Sequence, residues 1–319
     1  MNFRTLRLFV VMLSLELPLR ALQCEFDRFD FGSLRSKADR AVRSGNFVDA
    51  ESLLRQCHQE WAAGILPTDP RMLSSTAYLG QVLGLQGRWT EAEPILQQAY
   101  SRALASGHPE SIGTAAASLG GLYRYQRDTA RALPLLRIAH RRFIESRGPT
   151  DFAVGMTLTE IGALHMEDGH YATAEHTFLE ARGILQAAGL VEELLTCDMY
   201  IAAAQINQGR LTEAEARIKN AQRSVEQDES ALAGAGRVMG EYHLARIYRL
   251  QGRNDSADAQ YRKAIAAYEA AAVQPFPALP IVVEEYAAFL HKWKAPTAKA
   301  WAARARALQN SSLIPDALR

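Results

Sequence analysis

Gly87-Arg88-Trp89-Thr90-Glu91-Ala92 and Gly169-His170-Tyr171-Ala172-Thr173-Ala174 are two copies of one phrase: a Gly, a bulky residue two places on, and an Ala three places later. Gly45-Asn46-Phe47-Val48-Asp49-Ala50 is a third copy. Gly209, Leu211 and Ala214 keep its frame, as do Gly252, Asn254 and Ala257, whereas Arg127, Thr129 and Ala132 keep only the Ala. The alanines fall at 50, 92, 132, 174, 214 and 257, with a degenerate seventh at Ala298. Successive intervals are 42, 40, 42, 40, 43 and 41 residues. Spacing this even is the mark of a repeat array.

Each unit also carries a small residue twelve places before its Ala: Ala38, Gly80, Gly120, Gly162, Ala202 and Ala245. Four places after the Ala come Leu54, Leu96, Leu136, Phe178, Ile218 and Tyr261, and seven places after it Cys57, Ala99, Ala139, Ala181, Ala221 and Ala264. Spacings of four and seven put these side chains on one helical face. The pattern predicts a helical hairpin: small residues let two antiparallel helices approach, the Gly turns the chain, and the bulky residue covers the open end. One hairpin cannot bury its own apolar stripe, so neighbours must stack. Gly64 with Pro67 and Pro70, Gly107-His108-Pro109, Gly148-Pro149 and Pro275-Phe276-Pro277 supply breakers between units. No segment shows the period-two alternation of a strand. The expected fold is an all-α superhelix of six to seven hairpins over residues 24–307. The units lie near 31–70, 71–110, 111–150, 151–190, 191–230, 235–275 and 280–307, with a short tail at 308–319.

The small first-helix residue, the Gly-x-aromatic turn and the two second-helix alanines resemble tetratricopeptide (TPR) repeats. The period near 41, and phrases such as Glu91-Ala92-Glu93-Pro94, are most similar to the extended repeats of kinesin light chains. HEAT and armadillo repeats share the period but lack that turn. The resemblance implies a right-handed solenoid whose concave wall, built from the first helix of each pair, binds a peptide or a partner helix. On that wall the expected partner-binding residues are Gln81, Arg124, Tyr125, Met156, Met166, Met199, Asn207, Met239, Tyr242, Arg246 and Arg249. Kinesin light chains hold peptide backbone with an Asn ladder; here its places are taken by Tyr78, Ser118, Glu160, Tyr200 and His243. The basic clamp of chaperone-binding repeats is also missing, so ligand type does not carry over. Thioethers suit an adaptable groove, and the alternative reading has the Met and Tyr packed between helices. Arg246 and Arg249 read either as a receiver for an acidic group or as a solvated basic edge.

Lys plus Arg (36) against Asp plus Glu (35) leaves a net charge of +1, which removes the basic footprint of nucleic-acid binders. Hydrophobic residues at 48% suit a chain that folds around a core. Residues 1–23 have a basic start (Arg4, Arg7), an apolar run from Leu8 to Leu15, and Ala21 three places before Cys24. That is the layout of a secretory signal, with Glu16 and Gln23 off the pattern. The run is too short to span a bilayer. If the segment is a signal the protein is secreted or periplasmic; if it is an amphipathic capping helix the protein is cytoplasmic. The residues before Cys24 do not fit a lipoprotein signal, so no lipid anchor is expected there. A Cys24–Cys57 bond is open to an exported chain, whereas Cys197 lies too many units along the solenoid to pair with Cys57.

Between His165 and His176, the residues His165, Glu167, Asp168, His170, Glu175 and His176 suggest a metal, but the hairpin puts them on a first helix, a turn and an outer face. No metal or cofactor is expected. There is no phosphate-binding Gly-rich loop, no His-Glu-x-x-His and no Gly-x-Ser-x-Gly. The acidic residues read as parts of solvated helix faces. The sequence therefore points to a non-enzymatic protein–protein interaction scaffold of unnamed partner, with a ligand sensor as the alternative.

Overall fold

The computed structural model describes residues 32–43, 45–62, 64, 66–224, 231–270 and 279–309. The segment 1–23, Cys24 and most of the tail lie outside them. Fourteen helices and no strand occur among the described residues. The chain divides into two compact units that meet between Leu164 and His165 in sequence. The first contains α1 (Gly32–Arg43), α2 (Phe47–Ala62), α3 (Pro70–Leu85), α4 (Trp89–Ser106), α5 (Pro109–Tyr125), α6 (Thr129–Arg147) and most of α7 (Phe152–Glu167). The second contains α8 (Tyr171–Ala187), α9 (Val191–Asn207), α10 (Leu211–Ser224), α11 (Ala231–Leu250), α12 (Asn254–Ala270), α13 (Leu279–Lys292) and α14 (Ala298–Gln309).

Within the first unit α1 packs on α2, α3 on α4 and α5 on α6, and α3 also lies against α5. Within the second, α9 packs on α10, α11 on α12 and α13 on α14, and α9 lies against α11. In these two places a hairpin is stacked on the next through their first helices.

The turn inside each pair has one geometry. A residue in the left-handed region donates its N–H to the carbonyl three places back, and the next N–H reaches the carbonyl five places back. Gly87 to Gly84 with Arg88 to Leu83, and Gly209 to Ile206 with Arg210 to Gln205, are examples. These bonds satisfy carbonyls left open at the helix end. Where the phrase has lost its Gly the geometry persists: Arg127 has φ 61° and Lys294 φ 57°, with the same paired bonds. Tertiary packing therefore overrides the local preference at these two positions, at a cost of about 1–2 kcal/mol each.

The repeat alanines at 50, 92, 132, 174, 214 and 257 are wholly buried, and so are Leu54, Leu96, Leu136, Phe178, Ile218 and Tyr261. The spacing argument is visible in atomic terms at Gly80, where a Cβ would stand 2.5 Å from Cγ of Leu96. At Gly120 it would stand 3.0 Å from Cγ of Leu136. Each of these Leu side chains contributes roughly 1.5–3 kcal/mol by leaving water. Phe47 and Trp89 pack against the same core, and Trp89 Nε1 donates to the Gly84 carbonyl at 3.1 Å, closing the hairpin end.

Candidate functional site

Glu91, Glu145 and Glu213 lie on solvated helix faces beside an Arg three places away, but another set of acids does not. An acid directly after the repeat Ala grips the next hairpin in five places. Glu51 accepts from Arg55 at 2.8 Å and from Arg88 of the following turn. Glu93 accepts from Tyr123 Oη at 3.1 Å, Gln126 at 3.3 Å and Arg131 at 2.9 Å. Glu175 accepts from Gln205 at 2.9 Å, Gln208 at 2.7 Å and Arg210 at 2.6 Å. Glu215 accepts from Tyr248 Oη at 3.3 Å, and Asp258 from Tyr286 Oη at 2.5 Å. Burial works to raise the Glu51 carboxyl, but the donors Arg55, Gln86 and Arg88 together hold it below the usual carboxylate range. Glu215 is lowered in the same way, against burial, chiefly by Lys219. The signal was present in the sequence as the triplet Gln-Gly-Arg at 86–88, 208–210 and 251–253. The reading of each helix by itself missed it, because the acid and its donors are separated by a whole repeat.

The expected groove residues are placed as follows. Met156, Met166, Met199 and Met239 are buried, so their thioethers are packed in the interior. Gln81 is half-buried and donates to Ser118 Oγ at 2.8 Å, joining α3 to α5. Asn207 is half-buried and donates to the Ala203 carbonyl at 2.7 Å. Arg124 is fully buried, donates from Nε to Glu160 Oε2 at 2.7 Å, and lies 4.9 Å over the Tyr125 ring. Desolvation raises the Glu160 carboxyl even against Arg124, as expected where burial of an ion pair costs more than its attraction returns.

The structure brings Tyr242, Arg246 and Arg249 together on α11, and all three face one acid, Glu285 of α13. Tyr242 Oη donates to Glu285 Oε2 at 2.5 Å, and Arg249 Nη2 to Oε1 at 2.9 Å. Tyr261 Oη of α12 donates to the same Oε1 at 3.0 Å. Arg246 Nε stands 3.8 Å from that oxygen, beyond hydrogen-bond distance. Arg246 is only 4% exposed, which corrects the reading of it as a solvated edge: packing beneath the Tyr242 ring and α13 removes it from water. Burial and the neighbouring Arg246 charge push the His243 imidazole down to about 3.

His170 and His176 are exposed and His165 half-buried. Among the described residues no group of three His, Cys, Asp or Glu could hold a metal ion. Cys57 and Cys197 are buried free thiols, and burial raises the Cys57 thiol. No described helix is long and apolar enough to cross a membrane.

The family model for tetratricopeptide repeats matches residues 72–110 and 242–277, which are α3 with α4 and much of α11 with α12. No curated protein matches the chain in sequence. Among solved structures, RapI in its apo form is similar at a TM-score of 0.64 and 12% identity, covering 88% of this chain and 99% of that one. NprR in complex with its cognate peptide NprX is similar at 0.59 and 14% identity, covering 86% of this chain and 75% of that one. The nearly identical TPR-like repeats of a candidate kinesin light chain from Podosopora anserina match at 0.50 and 18% identity, over 61% of this chain and 94% of that one. The matched repeats at 72–110 and 242–277, the recurring turn and the stacked hairpins make this an all-α helical-repeat fold that carries tetratricopeptide repeats in those two stretches.

Proposed function

We propose that the chain is a non-catalytic scaffold that binds a peptide or partner helix across the first helices of its hairpins. The observation that carries this reading is the side-by-side packing of first helices within each unit, α3 on α5 and α9 on α11. Such a row presents parallel, regularly spaced side chains to an elongated partner. Gln81, Asn207 and Arg249 are the expected groove residues with solvent access. The acids that follow the repeat alanines hold successive hairpins together. The peptide in the NprR complex supports the peptide alternative by analogy of fold.

Capture of peptides from a random-sequence display library on the immobilised full chain tests this reading. Enriched peptides that compete with one another for one surface are expected; a library that emerges without enrichment overturns it. A partner that shifts the melting temperature and changes the radius of gyration in solution scattering would move the reading to a ligand sensor. We further propose export with loss of residues 1–23, tested by the N-terminal mass of protein recovered from its native host: a start near Cys24 supports it and an intact Met1 overturns it.

A further inference from the structure

We propose that Arg182 and Arg217 of the second unit form a receptor for a phosphate group, built on the second helices and apart from the first-helix surface. The inference goes beyond the scaffold reading and does not depend on it.

Two guanidinium groups converge on one carboxylate oxygen. Arg182 of α8 donates from Nε to Asp198 Oδ1 at 2.8 Å, and Arg217 of α10 donates from Nη1 to the same oxygen at 2.6 Å. Asp198 belongs to α9, which packs on both α8 and α10. The three side chains therefore meet where the second helices of successive hairpins flank a first helix.

Stacking asks for less than this. At the equivalent place in the next hairpin Glu241 meets one cation, Lys263; both acids stand sixteen places before their repeat Ala. Glu51 also takes two guanidinium groups, but there Arg88 bonds Glu91 as well, and the charges balance. Among the described residues neither Arg182 nor Arg217 has a second acid at ion-pair distance. Glu213, one turn before Arg217, is held through both oxygens by Arg210. One positive charge is thus in excess at Asp198.

The unused donors are open to solvent. The Arg182 side chain is 32% exposed and that of Arg217 26%. Arg182 spends Nε on Asp198 and Nη1 on Gln186 Oε1 at 3.1 Å, which leaves Nη2. Arg217 spends only Nη1; its Nε is buried without an acceptor, and its Nη2 is not buried. Gln186 is exposed and, while its oxygen accepts from Arg182, keeps both amide hydrogens to give. Donors from three side chains are thereby gathered around a fixed acid. A phosphate group carries three strong acceptor oxygens and a charge of about −1.5 to −2, and guanidinium forks suit it. A carboxylate, with two oxygens, would leave one of the three donor groups idle.

The test is isothermal titration of the full chain at low chloride with inorganic phosphate, O-phosphoserine and acetate, for wild type, Arg217→Gln and Gln186→Ala. Saturable binding of one phosphate is expected in the wild type. Arg217→Gln should weaken it by about 10- to 100-fold and Gln186→Ala by about 2- to 10-fold. Arg217→Gln leaves the Arg182–Asp198 bond in place, and a thermal melt checks that it folds; if it does not, the exposed Gln186→Ala decides. Tighter binding of O-phosphoserine than of inorganic phosphate assigns the group to a phosphorylated side chain, and the reverse order to the free ion. Failure of both phosphates to saturate the wild type overturns the proposal. So does equal affinity in the folded variants, or acetate that binds as tightly as phosphate. Each of these failures leaves the scaffold reading standing.

Discussion

Arg124 with Glu160 in the first unit and Arg249 with Glu285 in the second occupy the same register 125 residues apart. Each joins the last turn of one first helix to the next first helix, at 2.7 Å and 2.9 Å. Their surroundings differ. Where the second region has Tyr242, His243 and Arg246, the first has Ala117, Ser118 and Gly121. The first pair is therefore one cation against one anion, sealed from water. The second adds a buried cation and an aromatic ring around the same acid, and it stays partly open. Stacking accounts for the first arrangement. The second gathers more donors around one acid than the first.

The comparison can be broken first at the acids. Glu285→Ala strands two guanidinium groups and removes the acceptor of two tyrosine hydroxyls, so it should cost about 5 kcal/mol. Glu160→Ala strands one guanidinium and should cost about 3 kcal/mol. Urea denaturation with a common m-value measures both, and the reverse order would mean that the second acid is not the hub described.

A smaller effect sharpens the contrast at His243, for which the first region has Ser118. Its folded pKa near 3 lies below its ordinary value of 6.5. The neutral form is thus favoured by folding, and the resulting stability is fully present above pH 6.5. It is lost as pH falls toward 3, by about 1.4 kcal/mol per pH unit. His243→Leu should flatten this slope in melts between pH 6.5 and 4.5. An unchanged slope would show that the imidazole is not buried neutral. Below pH 4.5 the lowered Glu51 and Glu215 add their own loss in both variants.

The smallest effect concerns the turns. Arg127 and Gly252 are equivalent and share the left-handed conformation, at φ 61° and 75°. Arg127→Gly should stabilise the protein by about 1 kcal/mol through relief of Cβ strain, less the added freedom of the unfolded chain. A destabilised Arg127→Gly would mean that the Arg side chain itself holds the turn.

Much of the fold was legible because it depends on local spacing. The small residues, the turn glycines and the second-helix alanines each act within a single hairpin, and a period of about 41 repeats that signal until it stands clear of noise. Even the turns that lost their Gly could be placed by the Ala five residues beyond Arg127. The candidate site was less legible. Helical spacing put Tyr242, Arg246 and Arg249 on one face, but it could not show that Glu285 would meet them or that Tyr242 and Arg246 would be buried. Nor could it separate Met156 or Met199, which are buried, from Gln81 and Asn207, which keep some access to solvent. Whether a first-helix residue faces a neighbour or solvent depends on how closely the next hairpin packs, and no residue within one repeat encodes that.

The sequence by itself determined that this chain is an array of helical hairpins, where each turns, and which residues lie between its two helices. These follow from helical periodicity and from the steric demands of close approach, both of which act over a dozen residues. Only the tertiary structure decided which charges are spent on stacking and which are left over. Glu93 and Arg131, or Arg249 and Glu285, are separated by a whole repeat, and electrostatic pairing takes its strength from distance and burial in the folded state.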